Sequence, residues 1–71
     1  MPSADSVTVE QPKHVLHALT TFELRAYRRQ LERAIAFFDA RDPVPPARAV
    51  LQARLDEVLA EQYERARLAH A

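Results

Sequence analysis

The sequence predicts an all-α protein: an antiparallel helical hairpin that pairs with a second copy to make a four-helix bundle. Three observations carry this reading. Two stretches place large apolar residues at three- and four-residue spacing, a capping box opens the first, and a proline cluster separates them. The hairpin domain is expected over residues 13–71, behind a flexible tail of residues 1–12.

The tail is polar and carries Pro2 and Pro12 near its ends. Within it Ser6-Val7-Thr8-Val9-Glu10 alternates in the manner of a strand. One short strand has no second strand in this chain to pair with, so an unstructured tail is the expectation. The competing reading is a strand that adds to the sheet edge of a partner or pairs with its own copy. Next, Pro12 can open a short helical turn in which Val15, Leu16 and Leu19 face one way. That turn is expected to lie across the open end of the hairpin, over Leu24, Tyr63 and Leu68.

Helix one is expected over about residues 21–39. In Thr20-Thr21-Phe22-Glu23 the Thr20 hydroxyl can accept from the Glu23 N–H, while the Glu23 carboxylate accepts from the Thr20 N–H. Leu19 and Leu24 then fall at the positions of a hydrophobic staple. From Leu24 the stripe continues through Tyr27, Leu31, Ala34, Ile35 and Phe38, while Arg25, Arg28, Arg29, Glu32 and Arg33 occupy the other side. The stop is the loop 40–45 and its prolines. Pro43, Pro45 and Pro46 remove backbone donors, and each disfavours helix in the residue before it.

The same prolines suit a first helical turn, so helix two is expected from about 46 to 68. Its stripe is Val50, Leu51, Leu55, Val58, Leu59, Gln62 and Tyr63. A short loop between two helices of similar length makes an antiparallel pair. In that pairing Arg25 and Arg29 are expected to flank Glu57, Glu61 and Glu64, a charge match that sets orientation more than stability. The expected core is Leu24, Leu31, Ile35, Phe38, Leu51, Leu55, Val58 and Leu59.

Composition narrows the possible functions. Apolar residues make up 48% of the 71, but thirteen of them are alanine, leaving 21 larger side chains for a core. A chain this short buries only about 60% of its unfolded surface, which favours association. Cysteine and glycine are both absent, which removes disulfides, thiolate metal sites and glycine-rich phosphate loops. Ten basic and ten acidic residues give zero net charge, against the basic excess usual in nucleic-acid binders. The longest apolar run, Ala34 to Phe38, is far short of a membrane span, and the first residues do not read as a signal peptide. A cytoplasmic protein is therefore expected.

Three constellations bear on chemistry. His14, His17 and His70 would meet at one pole of the hairpin and could converge on zinc, but they lie near the chain ends with no carboxylate or thiolate beside them, so no metal or other cofactor is expected. Arg25, Arg28, Arg29 and Arg33 form a basic face that the acids of helix two would neutralise; without interleaved aromatics it lacks the stacking platform of a single-strand binder. Asp56, Glu57, Glu61 and Glu64 read as a solvated helix surface, and no acid–base pair in a dry cleft is evident. A non-enzyme is expected.

The aromatic residues are more informative. Phe22, Tyr27, Phe37, Phe38 and Tyr63 supply more surface than one helix seam can hide, and adjacent Phe37 and Phe38 diverge by about 100° around the helix. They are the candidate contact residues for a second copy or another protein. The sequence thus points to a protein–protein interaction module: a small adaptor, a regulator or a docking segment of a larger protein. The alternative is a nucleic-acid-binding regulator that uses the arginines of helix one.

Overall fold

A computed structural model of the chain describes residues 15–70. Those residues hold two long helices and one short 3₁₀ turn, with no strand among them. The expected tail over residues 1–12, its strand-like segment 6–10 and His14 lie outside the described residues. Helix α1 spans Thr21–Asp39 and helix α2 spans Ala47–Ala69, and the two pack against each other. At about 1.5 Å per residue they are roughly 28 and 34 Å long.

The start of α1 is held from both directions. The Thr20 N–H donates to Glu23 Oε1 at 2.8 Å, and the Glu23 N–H donates to Thr20 Oγ1 at 3.0 Å. These reciprocal bonds satisfy two donors that helix geometry would otherwise leave without partners. Leu19 and Leu24 are both buried beside this cap, where the staple spacing places them.

At the other end the helix closes through the Ala40 N–H to the Ala36 carbonyl, 3.3 Å, and the Arg41 N–H to the Phe38 carbonyl, 3.0 Å. The Asp42–Pro43 peptide bond that follows is cis. Pro46, with φ −59°, already has the helical backbone that α2 continues. Across the loop, Arg48 Nε donates to Asp39 Oδ1 at 2.8 Å. Asp39 is the last residue of α1 and Arg48 the second of α2, so each charge opposes the dipole of its own helix end. Pairing them offsets both conflicts and ties the helix ends together.

The core is one thin seam. Leu19, Leu24, Tyr27, Leu31, Ile35, Leu55 and Val58 form a continuous buried cluster, with Leu16 and Leu51 packed against it, and Ala34 is buried as well. Two expected core residues fall outside it. Leu59 is exposed, because it is turned to the side of α2 beyond the reach of α1; Phe38 is half-buried, packed edge-on against Phe37 near the loop. The molecule measures 45 × 25 × 14 Å. Its thinnest dimension is close to the diameter of one helix with side chains, about 10–12 Å, so the described residues form a single layer with no further described helix against either broad side.

Candidate functional site

The 3₁₀ turn, Leu16–Ala18, closes the open pole of the hairpin and is held there by one side chain of α2. Arg65 Nη2 donates to the carbonyls of Leu16, His17 and Leu19 at 3.2, 3.3 and 2.7 Å. Its Nε donates to Glu61 Oε2 at 2.8 Å, which fixes the guanidinium in place. Leu16 of the turn packs against the buried cluster that includes Leu24, while Tyr63 and Leu68, expected beneath the turn, are exposed. Arg65 carries no periodic signal in the sequence. The available hint was the need of a non-helical segment for partners to its backbone carbonyls.

The five candidate aromatics do not form one patch. Tyr27 is buried within the seam and belongs to the core, so it cannot serve as a contact residue without opening the hairpin. Phe22 and Tyr63 are 75% and 72% exposed. Phe37 and Phe38 are half-buried near the loop, their ring centroids 5.7 Å apart in an edge-on arrangement. The Arg41 guanidinium lies over the Phe37 ring, 4.7 Å from its centroid. Phe22 and Phe37 stand fifteen residues apart on the same helix, about 22 Å along its axis.

The uncovered apolar surface is concentrated on α2. Only Leu55 and Val58 of its 23 residues are buried. Val50, Leu59, Tyr63 and Leu68 are exposed and point to different sides of the helix. On one broad side Tyr27 and Leu31 of α1 and Val50, Ala53, Arg54 and Glu57 of α2 border an open groove of ≈ 410 Å³. Tyr27 Oη is buried beneath it with no hydrogen-bond partner in the structure. Burial raises the Tyr27 phenol above its ordinary range; the nearby Arg54 charge partly opposes this and Glu57 adds to it.

The charges are arranged otherwise than the antiparallel pairing predicts. Glu57, Glu61 and Glu64 do not meet Arg25 and Arg29; each is bonded to an arginine of its own helix, Arg54, Arg65 and Arg67 respectively. Spacings of three and four residues put these partners one turn apart, closer than anything on α1. On α1 itself Arg28 pairs with Glu32 and reaches across the seam to Gln62 Oε1 at 2.9 Å. Asp56 accepts from Gln52 at 2.9 Å. Among the described residues Arg25, Arg29 and Arg33 alone of the nine arginines hold no ion pair, hydrogen bond or ring contact.

No group of three or more metal-ligating side chains comes together among the described residues, and His17 and His70 are both exposed. No described helix is long and apolar enough to cross a membrane. Comparison of the chain with protein-family models, curated proteins and solved structures finds no match.

Proposed function

We propose that this chain is a non-enzymatic helical interaction module, a small adaptor, regulator or docking segment, that works by packing additional helices against α2. One observation carries the reading. A helix with apolar residues distributed around it is normally covered on several sides, and α1 covers only the side that holds Leu55 and Val58. Val50, Leu59, Tyr63 and Leu68 are left for something else. A second copy of the hairpin is the simplest cover, because a two-layer antiparallel bundle places helices on one of the broad sides of the single layer.

Light scattering after gel filtration, at micromolar and near-millimolar concentration, tests this directly. The expected mass is twice the 8.1 kDa chain; Val50→Glu, beside the open groove, is expected to return it to one chain, and Leu59→Glu, half a turn round α2, to leave it a dimer. A single-chain mass at both concentrations would remove self-association and leave the α2 surface to a different protein. An unchanged dimer in both variants would show that association uses another face.

The competing reading, a nucleic-acid-binding regulator, draws on Arg25, Arg29 and Arg33, which have no partners within the described chain. The zero net charge weighs against it, since no bulk attraction brings a polyanion to that face.

A further inference from the structure

We propose that the outer face of α1, formed by Phe22, Arg25, Arg29 and Arg33, is a second docking surface whose occupant is an acidic amphipathic helix of another protein. The proposal extends the interaction-module reading to the side of the hairpin that faces away from α2.

Arg25, Arg29 and Arg33 stand at intervals of four residues, so they lie along one line of α1 with about 6 Å of rise between neighbours. All three are exposed, and the buried residues of α1, Leu24, Tyr27, Leu31, Ala34 and Ile35, lie on the other side. Phe22 precedes Arg25 by one helical turn and is 75% exposed at the end of the same line. Like charges at this spacing repel one another along a helix. Among the described residues, the acids carried by the two helices are bonded elsewhere. Glu32 is bonded to Arg28, Asp39 to Arg48, and Glu57, Glu61 and Glu64 to arginines of α2. Glu23 is held in the capping box and Asp56 by Gln52. Among the described residues, therefore, the charges on the two helices have partners everywhere except along this line.

The spacing specifies the partner. Carboxylates that repeat every four residues on a neighbouring helix have the same rise of about 6 Å, so three arginines can meet three acids in register. A large exposed ring at the end of the line needs an apolar side chain opposite it, and an amphipathic helix supplies both. A nucleic-acid backbone matches the charges less well. The chain's zero net charge supplies no bulk attraction for a polyanion, and no aromatic lies between the arginines to stack a base.

The probe is a synthetic helical peptide of repeated Glu-Leu-Ala-Ala units, titrated into the full chain and followed by fluorescence anisotropy. Saturable binding is expected. It should weaken at least about tenfold in about 1 M salt, where charges more than about 3 Å apart are screened. Arg29→Glu should likewise weaken binding at least about tenfold, and Phe22→Ala should weaken it at both salt concentrations. Circular dichroism of each variant reports whether the hairpin is retained, and Arg29→Lys should restore most of the binding. The proposal fails if the peptide does not bind, if a Gln-for-Glu peptide binds equally well, or if mixed-sequence duplex DNA binds more tightly than the acidic peptide. Val50→Glu separates this surface from self-association: it should abolish dimerisation and leave peptide binding intact. Loss of both in Val50→Glu would show that the two surfaces are one.

Discussion

The phenol of Tyr27 places a polar group where it gains nothing. Its ring fills the seam, but the buried oxygen has no partner, and an unsatisfied buried hydroxyl costs about 1–3 kcal/mol. Tyr27→Phe keeps the ring and removes the penalty. It is expected to leave stability unchanged or raise it by up to about 2 kcal/mol, measured by urea unfolding. The same burial has a signature in pH. Because the folded-state pKa lies above the ordinary 10.0, the unfolded chain loses this proton first as pH rises. The contribution is fully present below pH 10 and declines above it, at no more than about 1.4 kcal/mol per pH unit until the folded pKa is reached. That part of the alkaline decline should vanish in Tyr27→Phe. Thr20 is the opposite kind of residue, fully used by its surroundings. Thr20→Ala removes the hydroxyl side of the capping box and should cost about 1 kcal/mol, read as a lower urea midpoint.

The two helices are of unequal character. α1 is amphipathic in the ordinary way, with five buried residues along one line. Leu31, fully buried at its centre, should cost about 2–5 kcal/mol when changed to alanine. A hairpin of this size is expected to have only about 3–8 kcal/mol in total, so Leu31→Ala should be largely unfolded as a single chain by circular dichroism. α2 differs: only Leu55 and Val58 are buried, while Val50, Leu59, Tyr63 and Leu68 are exposed. α2 also holds the 3₁₀ turn through Arg65, a long-range link that bears on the turn alone. Arg65→Ala should increase amide exchange over residues 16–19 while leaving the centres of both helices protected.

At the scale of the molecule, the 14 Å thickness is the governing fact. The described residues make a single layer whose groove is open along one side. If a second hairpin covers α2, stability is tied to mass action. The melting temperature should then rise with protein concentration, whereas a single-chain fold would melt at one temperature throughout a hundredfold dilution series. Val50→Glu should abolish that dependence.

Much of this architecture was legible in the residue order because it depends on local rules. Thr20 and Glu23 are three residues apart, the prolines of the loop act on their immediate neighbours, and the stripe from Leu24 to Ile35 follows the helical period. None of these needs distant information. The site was less legible. Tyr27 and Leu59 both sit at helical spacing, and only the rotation of each helix about its axis buries the first and exposes the second. Arg25 and Arg29 looked like partners for the acids of α2, but those acids had arginines one turn away, and a nearby partner costs less side-chain entropy to hold. Arg65 serves a turn more than forty residues upstream, a contact that exists only once the helices have folded back on each other. The sequence by itself determined the helices, their ends and the hairpin, because those follow from backbone geometry over a few residues. The tertiary structure decided which apolar and charged groups are used within the described chain and which stay exposed, because that depends on what each face meets across space.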